Sequence, residues 1–226
     1  MHDSVAATYL KYFSDDPSKG RKSIVKVYNK KLKKEQNLAV DSFPLNRKAF
    51  SAEVEEFHST LEKKYDSFTD IISNRYPLSV TEEKMKIGTS VFFNFILRKP
   101  LIFNKIKEYH SGHLELIKKY GSDPWHSFEL ISSLFFELLT KRPYPIKIFL
   151  YPEALFITSD DPIVYERHPF GTIYMLPIDR KHLICLGYYI GEHLLSQLDQ
   201  YIDQHNFRPK NINIKIRKQA RTFYVI

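Results

Sequence analysis

The sequence contains a single cysteine, Cys185, so the chain can form no internal disulfide. Reducing compartments keep thiols free, and this lack therefore favours an intracellular, cytoplasmic protein. Residues 1–7 lack the basic start and long apolar run of a signal peptide, which favours the same location. Cys185 lies in an apolar stretch, and we expect it to be an inert core residue.

Long apolar runs and glycine-rich motifs are also missing. A bilayer span needs about 20 mostly apolar residues, whereas the richest stretch, residues 91–97, is far shorter and lies between Lys86 and Arg98. We therefore expect no membrane partner. Only 7 glycines occur, and the chain has no phosphate loop, dinucleotide fingerprint, Gly-x-Ser-x-Gly elbow or cysteine pair for zinc. The enzyme classes that those motifs mark are excluded.

What the sequence does have is enough apolar material for one domain. Apolar residues make up 43% and aromatic residues 15% of the 226 positions, which suits a sizeable core. Residues 1–50 look extended, residues 51–142 show helical spacing of apolar side chains, and residues 143–226 return to short strands, followed by C-terminal helices. We predict strands at 23–28, 146–150, 155–158, 172–176 and 183–186, while the tail from 212 to 223 fits either a strand or a helix.

Short connections between these strands favour antiparallel pairing, because a parallel crossover needs about a dozen residues or more. The predicted fold is therefore a single α+β domain covering residues 1–226. In it, a helical middle segment packs on a mostly antiparallel sheet that is built from N- and C-terminal strands.

The net charge of +8 is concentrated at the two ends of the chain. Residues 1–50 hold 11 Lys and Arg against 5 Asp and Glu, and residues 207–226 hold 6 basic residues and no acidic one. Lysines interleaved with tyrosines are what a single-strand nucleic-acid binder combines. A hairpin with a solvated, lysine-rich turn would have the same sequence. Lysine dominates over arginine here, which favours that alternative, because base recognition relies largely on arginine. The candidate nucleic-acid-binding residues are Lys22, Lys26, Lys30, Lys31, Arg217, Lys218 and Arg221.

Short motifs along nearly the whole chain resemble those of one known family. The opening, with His2, Val5 and residues 9–13, resembles His-His-x-Val-Pro-x-x-Tyr-Leu-x-x-Phe, and residues 24–30 resemble a strand ending in Val-Tyr-Asp-Lys. Residues 157–164 are similar to the family's most distinctive stretch, Thr-Ser-Asp-Asn-Pro-Val. Further similarities lie at 98–100 (Arg-x-Pro), at 174–178, and at Asn213, Ala220 and Phe223 (Asn-x6-Ala-x2-Phe).

The family is a bacterial and phage-distributed domain of unknown function, number four-two-three-eight. The resemblance implies a fold, and it implies that the opening packs near the Thr-Ser-Asp-x-Pro strand end, but it supplies no established activity. Two positions depart from the pattern: Asp3 stands where the family has its second histidine, and Ala6 stands where it has proline.

The best candidate site is the run from Thr158 to Pro162. Asp160 and Asp161 are adjacent carboxylates at a predicted strand end, and such oxygens suit Mg²⁺ or Mn²⁺, which activates water for phosphoryl chemistry. Glu166 and His168 follow closely and offer further ligands. In the alternative interpretation, Ser159 and Asp160 bond backbone amides to close a turn. Thr158, Ser159, Pro162 and Asn213 then form a structural motif.

Four other residues complete the candidate chemistry. The resemblance brings His2 to the same cleft as a catalytic candidate. Arg98 either binds phosphate or a buried carboxylate such as Asp160, or it is a cation at the C-terminus of a helix. His110 and His113 are spaced as in some zinc sites, but without a completing ligand we expect surface histidines.

Two functional hypotheses follow. The first is an intracellular protein that acts on nucleic acid, with a metal-dependent nuclease as its catalytic form; Asp160 and Asp161 hold the metal and Arg98 meets phosphate. The second is a non-catalytic binding or regulatory module of a phage, prophage or defence cluster, in which the Thr-Ser-Asp-x-Pro run is structural.

Overall fold

The computed structural model describes residues 7–43, 146–153, 156–168, 171–188 and 208–226, together with parts of the helical segment between 56 and 120. These residues form helices and two antiparallel sheets, which confirms the predicted α+β class. The prediction of one sheet is wrong, because the strands pair in two separate groups of four. The single-domain boundaries stay a prediction. Residues 121–142 of the predicted helical segment lie outside the described residues.

The strands in chain order are β1 (Ile24–Asn29), β2 (Lys34–Ala39), β3 (Ile146–Leu150), β4 (Thr158–Ser159), β5 (Val164–His168), β6 (Gly171–Pro177), β7 (His182–Tyr188) and β8 (Phe223–Val225). The helices are α1 (Ala7–Leu10), α2 (Leu114–Tyr120) and α3 (Pro209–Gln219), with 3-10 turns at Lys11–Phe13, Pro17–Lys22 and Val40–Ser42. The first sheet has the order β2-β1-β8-β4, and the second has the order β3-β7-β6-β5. No helix in this described part of the chain is long and apolar enough to cross a membrane.

The first sheet begins with a hairpin. In β1, Val25 and Val27 are buried while Ile24 and Lys26 are exposed, the period-two pattern of a strand with one covered face. The side chain of Asn29 closes the turn, since its Oδ1 accepts the amides of Lys31 and Leu32, each at 3.0 Å. β2 was not predicted, because its polar sequence lacks apolar alternation. It is an edge strand held by backbone pairing with β1.

Strands β3 to β7 follow the prediction closely, except for β5 in the second sheet and β4 in the first. β5 was not predicted, since three of its five residues are charged or histidine. Of the strand predicted at 155–158, Phe156 and Ile157 lie outside any strand, Thr158 begins β4, and residue 155 lies outside the described residues. The physical reason is that two amides bond outside the sheet: Phe156 N–H donates to the Arg180 carbonyl at 3.0 Å, and Ile157 N–H donates to Asn213 Oδ1 at 3.1 Å.

The tail of the chain is both a helix and a strand. α3 begins at Pro209, whose missing amide costs nothing at the first helical position. Ile212 and Ile216 bury one face of α3, while β8 follows after a short turn and pairs with both β1 and β4. The helix alternative is therefore confirmed for residues 212–219, and the strand alternative is wrong there; the strand of the tail forms later, at 223–225.

The Tyr9 side chain joins the two sheets from within the core. Its hydroxyl donates to the carbonyl of Pro177 in the second sheet, at 2.7 Å, and lies 2.6 Å from the Thr158 hydroxyl in the first. Because the single phenolic proton goes to Pro177, the Thr158 hydroxyl is the donor to the tyrosine oxygen. Burial raises the pKa of Tyr9 above its ordinary value, so the phenol stays protonated. The ring also packs edge-on against Tyr65 and Phe95.

Replacing Tyr9 by phenylalanine tests this link between the sheets. The Tyr9→Phe variant leaves a buried hydroxyl and a buried carbonyl without their partner. We expect the free energy of unfolding to fall by about 2 kcal/mol, measured by denaturant titration. The control is Tyr165→Phe, since that ring is 51% exposed and lies on an edge strand of the second sheet. Equal stabilities of the two variants would contradict the role of Tyr9.

Candidate nucleic-acid interface

The Asp160 carboxylate bonds the backbone of the turn between α3 and β8. Asp160 follows β4 directly and is only 5% exposed. Its Oδ1 accepts the Arg221 amide at 3.0 Å, and its Oδ2 accepts the Thr222 amide at 2.7 Å. Burial raises the pKa of Asp160, and the two amide hydrogen bonds oppose that shift because they favour the ionised form. The carboxylate thus fixes the turn that leads into β8.

The neighbours of Asp160 also bond protein groups. Ser159 Oγ accepts the Asp161 amide at 3.1 Å, and Pro162 is buried. The Gln219 side chain of α3 donates to the carbonyls of Asp161 and, at 3.0 Å, of Ile163.

At the other end of the run, the Thr158 hydroxyl meets Tyr9, and Asn213 of α3 accepts the amide of Ile157. The run from 158 to 162 is therefore the point at which α3 is attached to the first sheet.

A divalent-metal centre gains no support from this geometry. Both oxygens of Asp160 already accept amides, and Glu166 forms an ion pair with Lys215 of α3. Among the residues that the structure describes, no three His, Cys, Asp or Glu side chains form a group that could hold a metal ion. The Mg²⁺ or Mn²⁺ site at Asp160 and Asp161 stays a prediction.

The remaining candidates from the sequence are three histidines and Arg98. His2, Arg98 and His113 lie outside the described residues. The expectation of a surface histidine is wrong for His110, which is 1% exposed in a helix. Helical spacing alone did not show which face of that helix is covered.

The two basic ends of the chain meet in the first sheet. β1 and β8 pair antiparallel, with Tyr28 opposite Tyr224. Beyond the strands, the Lys30 amide donates to the Thr222 carbonyl at 2.9 Å, and the Ile226 amide donates to the Lys26 carbonyl at 2.8 Å. Cations from both segments therefore lie around one pair of strands.

α3 extends this charge along its outer side. Its exposed residues recur at helical spacing and are basic except for Ile214, and the helix contains no acidic residue. We call the exposed cations around β1, its turn and the C-terminal end of α3 the basic face. It consists of Lys26, Lys31, Arg217, Lys218 and Arg221.

Two sequence candidates stand apart from the basic face. The Lys30 ammonium donates to the carbonyls of Ala220 and, at 3.3 Å, of Arg217, so it caps the C-terminus of α3. Lys22 is exposed but precedes β1, whereas Lys31 follows it. A six-residue strand separates them by roughly 20 Å at its usual rise per residue.

An aromatic stack lies within the basic face. The rings of Tyr28 and Tyr224 are stacked, with centroids 5.2 Å apart and planes 21° from parallel. The Arg217 guanidinium lies over the Tyr224 ring, 5.5 Å from its centre. Tyr224 was not predicted as a site residue. The closeness of β8 to the basic β1 was not readable from either segment alone.

No protein-family model, curated protein or solved structure matches this chain. The resemblance to the domain family of unknown function therefore stays a prediction. What the protein does has to be argued from the geometry of the basic face and of the Asp160 turn.

Removing the Asp160 carboxylate should destabilise the protein. In Asp160→Ala the amides of Arg221 and Thr222 lose their acceptor, and we expect the free energy of unfolding to fall by about 2 kcal/mol. Thermal denaturation measures the change, with the exposed Asp41→Ala as control. An unchanged melting temperature would contradict the structural role. Without this measurement, lost activity in Asp160→Ala could not identify a metal ligand.

The capping role of Lys30 gives a second stability test. Lys30→Met removes the cation from the C-terminal carbonyls of α3, and we expect a loss of about 1 kcal/mol. The adjacent Lys31→Met is the control, because Lys31 is exposed and surface substitutions usually change stability by less than about 0.5 kcal/mol. Chemical denaturation of both variants decides the matter, and a greater loss in Lys31→Met would overturn the assignment.

Proposed function

We propose that the protein binds nucleic acid through the basic face, as a binding module without catalysis. The observation that carries the proposal is the pairing of β1 with β8, which brings the lysine-rich N-terminal hairpin and the acid-free C-terminal segment into one sheet. Phosphate backbones are bound chiefly by such clusters of lysine and arginine, which displace the counterions of the nucleic acid.

The electrostatic balance of the basic face supports this proposal. Lys26 pairs with Glu35 at 2.7 Å, both side chains being about half exposed, so one cation of the face has a local counter-charge. An exposed pair of this kind is weak and can be exchanged for phosphate at little cost. Residues 207–226 contain no acidic residue, and Arg217 and Lys218 are exposed within that segment.

The catalytic form of the hypothesis has less support. Asp160 is used by the turn before β8, and the described residues contain no metal-ligand group. A metal-dependent nuclease would need ligands from elsewhere in the chain. The binding module therefore explains the described geometry with fewer assumptions.

The test measures the salt dependence of binding to a labelled oligonucleotide. For single strands, the logarithm of the affinity falls with the logarithm of salt concentration by about 0.7 for each phosphate contact. The double variant Lys31→Gln/Lys218→Gln removes one cation from each end of the chain, and we expect its slope to fall by roughly 1.4. The matched control is Lys63→Gln/Lys118→Gln, two exposed lysines in the helical segment.

The same titration separates the alternatives. Equal slopes for both double variants would contradict the basic face as the binding surface, and an absence of binding at low salt would overturn the proposal altogether. The oligonucleotide should stay intact when Mg²⁺ or Mn²⁺ is added. Metal-dependent cleavage by the wild-type protein would instead favour the nuclease.

A further inference from the structure

The Tyr28–Tyr224 stack lies on the outer side of the first sheet. In β1, Val25 and Val27 turn to the core, and strand alternation puts Ile24, Lys26 and Tyr28 on the opposite side. Tyr224 is the register partner of Tyr28 and flanks the buried Val225. Both rings are half-buried, so part of each aromatic surface remains accessible.

Charged residues lie beside these rings, including Glu35, the register partner of Tyr28 in β2, which pairs with Lys26. Lys26 precedes Tyr28 by two positions on the same side of β1, and Arg217 lies over Tyr224 from α3. Ile24, on this same side, is 60% exposed. The outer side of the sheet thus combines apolar and aromatic surface with cations. Contacts with phosphate alone would need the cations but not the exposed apolar and aromatic groups.

We propose that the Tyr28–Tyr224 pair is a stacking platform for unpaired bases, so that the ligand of the basic face is single-stranded nucleic acid. This inference rests on the proposed function, since the cations hold the backbone while the rings meet the bases. In a duplex the base faces are already stacked on one another, so the tyrosine rings could not stack on them. Stacking of a base on an aromatic side chain tolerates any sequence, because every base has a π-face.

The wild-type protein should distinguish strands by their bases. We would compare three labelled ligands of about 12 nucleotides, within the usual site size of single-strand binders: a single strand, an abasic strand with the same phosphates, and a duplex. The single strand is expected to bind roughly fivefold more tightly than the abasic strand, which is the low end of the effect of one base stacking on one ring. The duplex should resemble the abasic strand.

Variants then assign the difference to the rings. Tyr28→Leu should lose the preference for the normal strand over the abasic strand while it keeps the salt dependence of binding. Tyr28→Phe keeps the stacking surface and should bind as the wild type does. Tyr165→Leu is the matched control, because it removes an exposed tyrosine from the second sheet.

The outcomes separate the two proposals. If no ligand binds, the proposed function fails. If all three ligands bind equally to the wild type, or if Tyr28→Leu retains the preference, the stacking platform is overturned while the basic face stands. If Tyr28→Leu does not fold, the comparison of normal and abasic strands with wild-type protein still decides the base preference, and Tyr28→Trp, which enlarges the ring, should then increase it.

Discussion

The described structure depends above all on one buried carboxylate. Asp160 accepts the amides of Arg221 and Thr222 at the point where α3 ends and β8 begins. Backbone donors near the core need acceptors, and a carboxylate with two oxygens serves both. By fixing this turn, Asp160 sets the position of β8, the strand that pairs with β1 on one side and β4 on the other.

The basic face is a consequence of that constraint. Asp160 bonds the turn that precedes β8, and the pairing of β8 with β1 brings two separately basic segments together. Lys30 strengthens the same junction by capping α3, so one cation of the basic ends stabilises the fold while its neighbours stay exposed. The Thr-Ser-Asp-x-Pro run therefore matters to the candidate function indirectly, through the position of the residues that contact the ligand.

Much of the fold could be predicted from short-range pattern. β3, β6 and β7 are apolar and β-branched, and they formed where the sequence indicated. β2 and β5 escaped prediction because their residues are mostly polar, and each is an edge strand held by backbone bonds to a neighbour. Amino-acid composition does not reveal a strand that is held mainly by backbone hydrogen bonds. The run at 158–162 was recognised as a candidate, but its hydrogen-bond partners lie about 60 residues away in sequence.

By itself, the sequence determined the α+β class, the buried state of Cys185 and the concentration of positive charge at the two ends, because these follow from local composition and periodicity. Only the tertiary structure decided that the strands divide into two sheets, that Lys30 is a cap, and that Tyr28 stacks on Tyr224. Each of these depends on contacts between residues far apart in the chain. The physical reason is that hydrogen-bond geometry and burial in the folded chain determine which distant residues come into contact, and local sequence patterns carry no information on those contacts.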